Sequence, residues 1–344
     1  MSSRSNAYGN RLFLNFYLLI ACLLVVNAVS RAEIPPENKN TPDRYPVPVN
    51  DLSLCNDDPL GDFQTLNIPL KRAGRLYMVE ANVDGQTGNL IFDTGASTLV
   101  LNKTYFRKYA MFEKPSGGGI TGTTGTGAQI KVNRIDISGL YYENVNADVA
   151  DLAHIENRRG VKVLGLFGLN MIDNFEVIFD AFNNQLQLNR IDKNGNCLNQ
   201  ETKGIKFDLS QKIETSHNIM LVKGLVGEKP LNFCLDTGAE TNVVSSDVSK
   251  KVMSTIEITR RSNVTGSGSA ATEVLYGIMK DFLFGNQQLA TMETIVTNMD
   301  AVSEAYGCKI DGLLGYDFWG KGVYRINIKK EEISIAIRKK GESQ

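Results

Sequence analysis

The chain repeats itself. Asn89-Leu90-Ile91-Phe92-Asp93-Thr94-Gly95-Ala96 returns as Asn232-Phe233-Cys234-Leu235-Asp236-Thr237-Gly238-Ala239, 143 residues further on. Upstream of each copy, Met78 to Val83 and Met220 to Val226 read as apolar strands. They turn back through Asp84-Gly85 and Gly227-Glu228 into the strand that carries the aspartate. Downstream, Val100-Leu101-Asn102 and Val243-Val244-Ser245 read as strand ends followed by a helix-capping side chain. A Gly/Thr/Ser run follows in each half, Thr121 to Gly127 and Thr265 to Ser269, with alternating apolar residues behind it, which predicts a hairpin tip. Each half then closes on an apolar run into glycine, Val163 to Gly168 and Ile310 to Gly315, where the offset has grown to 147. Short apolar runs split by Gly, Asn and Asp make both halves all-β, and two similar units of this kind are expected to face each other across a pseudo-two-fold axis.

The remainder of the chain divides around these halves. Arg4 and Arg11 precede an apolar run from Leu12 to Val29 with small residues up to Ala32, so residues 1–32 read as a secretory signal. An uncleaved membrane anchor is the alternative, and the protein is expected to be exported or held at the surface by this segment. Six of the nine prolines fall in 33–60, which is polar and reads as extended and poorly packed. Residues 61–190 are the first lobe, 191–204 a polar connector and 205–340 the second lobe. In an oxidising compartment Cys55, Cys197, Cys234 and Cys308 allow three pairings. Cys55 with Cys197 is the favoured one, because Cys234 lies in an apolar run and reads as a small buried hydrophobe.

Composition excludes several chemistries. With 37 Lys plus Arg against 38 Asp plus Glu and no long block of one sign, nothing suits a phosphate backbone, and nucleic acid is not an expected partner. The two histidines, His154 and His217, stand in no HExxH, Cys/His cluster or GxSxG context, which disfavours zinc hydrolysis and Ser-His or Cys-His catalysis.

An acid at the end of a buried apolar strand needs a reason. Asp before Gly commonly starts a turn or caps a helix, but that explains the glycine and not the same placement twice. Burying a lone carboxylate is costly, so the economical arrangement brings Asp93 and Asp236 together. Two carboxyls about 3 Å apart cannot both ionise easily and share one proton. The ionised member can take a proton from a water as it attacks an amide carbonyl, and the protonated member can donate to the developing oxyanion. No metal, cofactor or covalent intermediate is required.

Asp-Thr-Gly-Ala after an apolar strand, a Gly-rich run and an apolar Leu-Gly closing strand make each half resemble a retropepsin-like aspartic protease unit. The tandem resembles a single-chain, two-lobed aspartic peptidase over roughly Phe63 to Ile337. The resemblance implies two closed, barrel-like all-β lobes with a cleft between them, aspartic endopeptidase activity on a polypeptide substrate, and Asp93 and Asp236 as the catalytic dyad. It implies that Thr94 and Thr237 bond across to the opposite loop, and that Gly95 and Gly238 allow close backbone approach. Gly125, Thr126 and Gly127, with Gly266, Ser267 and Gly268, would fold over the peptide as flaps. Phe167-Gly168 and Leu314-Gly315 would pack beneath the catalytic loops. Each half is shorter than a pepsin lobe, without the pepsin-type flap tyrosine, and Ala96 and Ala239 stand where pepsin-like sites commonly carry Ser or Thr. A peptide-binding module that keeps the fold and cuts nothing is the alternative. Because one chain supplies both aspartates, a monomer is expected. Asn102-Lys103-Thr104 and Asn263-Val264-Thr265 match the glycosylation triplet, which is frequent by chance.

Overall fold

The computed structural model of the chain describes residues 56–114, 118–119, 122–123, 127–199, 204–216, 219–265 and 271–338. The N-terminal apolar segment, Cys55, and the flap residues Gly125, Thr126, Gly266, Ser267 and Gly268 lie outside the described residues.

Each half builds one large sheet from the same sequence signals. In the first, strand Leu76–Val83 turns through Asp84 (φ 48°) and Gly85 (φ 86°) into Gln86–Phe92. In the second, Ile219–Val226 turns through Gly227 (φ 56°) and Glu228 (φ 62°) into Lys229–Leu235. Both are two-residue hairpins with left-handed central residues, the turn whose twist matches that of the flanking strands. The last three residues of each aspartate strand are buried, because a parallel neighbour covers them: Val163–Phe167 beside the first and Gly312–Leu314 beside the second.

The two sheets differ in closure. The long strands Gly127–Ile137 and Leu140–Ala150 pair with each other, while the first also reaches Leu76–Val83 and the second Val100–Asn102, so the N-terminal sheet closes into a barrel. In the second half each long strand is broken in two: Ala271–Met279 with Phe282–Phe284, and Gln287–Leu289 with Met292–Thr297. Its ladder is interrupted at those breaks and the sheet stays open, so the expectation of two closed lobes holds for the first half only.

A third sheet belongs to both halves. Its order runs Leu209–Lys212, Glu332–Ile337, Gly322–Asn327, Phe175–Asp180, Gln185–Arg190, Thr65–Pro69, three strands from each half. At its centre Ile178 faces Arg325, its own repeat mate at the offset of 147, so the pseudo-two-fold axis passes through this pair. The lobes are thereby joined by an antiparallel ladder as well as by the connector. Phe179 packs edge-on against Trp319 at 5.5 Å and stacks on Phe92 at 5.6 Å, which carries the apolar core from the shared sheet to the foot of the first aspartate strand.

Several local expectations change. Asn56–Leu60, read as part of the poorly packed stretch, is an edge strand on Leu140–Ala150, where Pro59 loses no ladder bond that a central strand would need. Asn102 caps the helix Lys103–Phe106, but its counterpart Ser245 holds a turn at Asp247, and Ser249 caps the helix Lys250–Met253 instead. Asn102 is fully buried and donates through Nδ2 to the Val163 carbonyl at 3.0 Å, so this triplet is unavailable to a glycan in the folded chain. Cys234 is buried in apolar surroundings, and the Cys197 thiol donates to Glu176 at 3.3 Å.

Candidate active site

Both aspartates sit one residue past the end of a strand and are fixed from below by the closing strand. Asp93 N–H donates to the Phe167 carbonyl at 3.1 Å, and Asp236 N–H donates to the Leu314 carbonyl at 3.0 Å. The chain then turns back over each carboxylate: Asp93 Oδ1 accepts from Gly95 N at 2.9 Å and Ala96 N at 3.1 Å, and Asp236 Oδ1 accepts from Gly238 N at 2.9 Å. The turns are seated on the next segments, since Leu169 N–H donates to the Ala96 carbonyl and Tyr316 N–H to that of Ala239. Gly168 and Gly315 lie directly under these loops, against the carbonyls of Thr98 and Ala239.

The two loops interlock. Thr94 Oγ1 donates to the Leu235 carbonyl at 2.9 Å and accepts from Thr237 N–H at 3.1 Å; Thr237 Oγ1 donates to the Phe92 carbonyl at 2.8 Å and accepts from Thr94 N–H at 3.0 Å. Each hydroxyl thus fills its donor and one acceptor role in the opposite half, in a region with no water access. The glycines after them are required by proximity. A Cβ on Gly95 would stand 2.5 Å from Asp236 Cγ, and one on Gly238 2.5 Å from Asp93 Cγ, distances no side chain tolerates.

The two carboxyls are both 1% exposed and close enough to act on each other's charge state. Burial pushes Asp93 well above the ordinary carboxylate range, and the Asp236 charge pushes it further. Burial also raises Asp236, to about 6, while hydrogen bonds from Asp93 and from the Gly238 and Ala239 amides hold it down. Both carboxyls are thus pushed upward, and the pair retains a proton in common well above the pH at which an ordinary carboxyl loses its own. Asp93 Oδ2 receives no donor from the rest of the protein.

Of the residues singled out from sequence, Asp93, Asp236, Thr94, Thr237, Gly95 and Gly238 meet at one point. Gly127 begins the strand Gly127–Ile137, and the strands Ile256–Thr265 and Ala271–Met279 pair on either side of Gly266, Ser267 and Gly268, which lie outside the described residues. Two further contacts beside the loops were not anticipated. The helix Ala153–Arg159 of the first half ends on Arg159, whose Nε donates at 3.1 Å to Glu240 Oε1, directly after Asp236-Thr-Gly-Ala; Nη2 donates to the same oxygen. The helix Asp300–Tyr306 of the second half ends on Tyr306, whose hydroxyl approaches Ser97, directly after Asp93-Thr-Gly-Ala. Only the left-handed Gly160 and Gly307 that cap the two helices mark them as repeat mates in the sequence.

The sequence model of the family described as aspartyl protease matches residues 79–171 and again 222–318. The crystal structure of an aspartic proteinase from Irpex lacteus aligns with a TM-score of 0.50 at 13% identity, over 81% of this chain and 99% of that chain, a likeness of fold. No curated protein sequence matches the chain. The two family matches cover more than half of the 344 residues, one on each aspartate loop, and the chain belongs to the aspartyl protease family.

Proposed function

We propose that the chain is an aspartic endopeptidase in which Asp93 and Asp236 share one proton and activate a water against a peptide bond. The observation that carries this reading is the interlock of Thr94 and Thr237, which ties together the two loops that bear the buried carboxyls of Asp93 and Asp236. Asp236, as the anion, takes a proton from the attacking water while Asp93 donates its proton to the carbonyl oxygen, which gives a neutral tetrahedral diol. The diol returns one proton to Asp93 as the carbonyl re-forms, and Asp236 passes the proton it holds to the leaving nitrogen. The C–N bond breaks to a carboxylic acid and an amine, and the dyad regains its starting state with one proton. Water is consumed and no group of the protein is covalently altered.

The N-terminal apolar segment supports export, with an uncleaved anchor as the alternative, and both halves of the site in one chain support a monomer acting on polypeptides. The test is incubation of the purified protein with a mixed peptide library, with and without a statine-type inhibitor. Cleavage suppressed by the inhibitor is the expected result. Absence of both cleavage and inhibitor binding refutes the reading, and inhibitor binding without cleavage leaves a peptide-binding module.

A further inference from the structure

The loop that carries Asp236 is gripped by arginines of the other half. Arg159, at the end of the first-half helix Ala153–Arg159, donates through Nε to Glu240 Oε1 at 3.1 Å and through Nη2 to the same oxygen. The side chains are 20% and 4% exposed, so solvent and salt screen this pair little. The turn at Gly74 (φ 63°) makes room for it, since a Cβ there would collide with Arg159 Nη1. Arg75 adds a second hold: Nη1 donates to the Glu240 carbonyl at 3.4 Å, Nη2 pairs with Glu293 at 2.6 Å, and the guanidinium lies 5.3 Å from the centre of the Tyr316 ring. Arg72 Nη1 donates to the hydroxyl of the same tyrosine at 3.0 Å, and Tyr316 N–H donates in turn to the Ala239 carbonyl. Three arginines of the first half thus converge on Glu240 and on the residue that seats Ala239. The repeat mates of Glu240 and Arg159, by the offsets of 143 and 147, are Ser97 and Tyr306, so the Asp93 loop has no counterpart of this ion pair.

Resting on the endopeptidase reading, we propose that Arg159 is a positioning residue for catalysis: through Glu240 it sets the Gly238 and Ala239 amides of the opposite half against the Asp236 carboxylate. Those amides favour the ionised form of Asp236, with Gly238 N at 2.9 Å from Oδ1, and Glu240 is the next residue along the chain. Displacing Glu240 displaces the donors. Joining the halves does not require such a pair, because the shared six-stranded sheet already does so and apolar side chains of similar volume stabilise a buried contact at least as well. A guanidinium that donates twice fixes the direction of its partner as well as the distance. The other charged or titratable groups facing this loop are Arg75 with Glu293, Asp93 across the dyad, and Cys234 and Tyr306, which burial keeps protonated. Among the described residues, Arg159 is the cation that meets the Glu240 carboxylate.

The experiment compares wild type with Arg159→Met/Glu240→Gln, a double variant that strands no buried charge and so keeps the fold. Active sites are counted by titration with a statine-type inhibitor, and a peptide cleaved by wild type serves as substrate. Per active site, kcat should fall about tenfold while KM stays within about twofold, because the loss lies in the alignment of the dyad. The acid limb of the kcat/KM profile should also move to higher pH by about 0.5, since weaker amide donation stabilises the carboxylate less. A merely structural staple would lower Tm and leave kcat per active site and the pH profile unchanged, which overturns the proposal. The dyad is titrated in parallel by carbon NMR of labelled aspartate carboxyls, with Asp93→Asn and Asp236→Asn to assign the signals. A midpoint about 0.5 higher in the double variant supports the positioning role even if wild type cuts nothing and the endopeptidase reading fails; identical midpoints overturn it.

Discussion

Replacing both dyad acids should remove a specific loss of stability at neutral pH. In the folded chain Asp236 is raised from the ordinary 3.8 to about 6 by burial, and Asp93 is raised well above its ordinary value by burial and by the Asp236 charge. In the unfolded chain both titrate near 3.9. The folded state therefore holds its protons more tightly. The contribution to stability is fully present below about pH 4 and is lost as pH rises through about 6. A shift of about two units corresponds to about 3 kcal/mol for the Asp236 ionisation alone, and at 1% exposure solvent screening takes little from it. For a folded region of this size that is a fall of about 5 °C in Tm between pH 4 and pH 7. Asp93→Asn/Asp236→Asn keeps the shape and the Oδ1 acceptors for the loop amides but cannot ionise. Scanning calorimetry of both proteins from pH 4 to pH 7 isolates the dyad, because every other titrating group is common to the two. The difference in Tm should widen by about 5 °C in favour of the variant across this window. Parallel profiles would refute the raised, shared-proton state on which the proposed chemistry depends.

Four further outcomes are expected. Asp93→Asn and Asp236→Asn, each alone, should lower peptide hydrolysis by more than about a thousandfold with the fold intact by circular dichroism, and near wild-type turnover in either would dismiss the single-dyad mechanism. Gly95→Ala places a methyl group 2.5 Å from Asp236 Cγ and should cost at least about a hundredfold in kcat by displacing that carboxyl. Gly320→Ala, whose nearest neighbour would be 3.5 Å away, serves as the silent control in the same assay. Ala96 and Ala239 offer the carboxylates no hydroxyl, so wild type should work at roughly pH 4 to 6.5 and Ala96→Ser/Ala239→Ser should move the kcat/KM profile toward acid; a wild-type maximum near pH 2 would contradict this. Residues 56–340, which keep the edge strand Asn56–Leu60, should be active as a monomer, checked by light scattering and activity on dilution, and activity lost in step with dimer dissociation would indicate exchange of lobes between chains.

The parts of this protein legible in its sequence are those that depend on near neighbours along the chain. Asp84-Gly85 and Gly227-Glu228 specify their hairpins because the backbone conformation is chosen within two residues, and the apolar run before each Asp-Thr-Gly specifies a buried strand end. The doubled motif also placed Asp93 and Asp236 as a pair, since duplication of a unit implies a symmetry axis. What the axis passes through was decided in three dimensions. The pairing of Ile178 with Arg325 depends on the packing of both sheets, and a strand pattern carries no address for its partner. The same limit hid the Arg159–Glu240 contact, 81 residues apart, and the approach of Tyr306 to Ser97. An arginine or a tyrosine at a helix end is an ordinary surface residue in sequence, and it gains its role only when the opposite half supplies a carboxylate or a hydroxyl. Asn102 shows the converse, because its triplet reads as a glycan acceptor until burial against Val163 commits its amide to the fold.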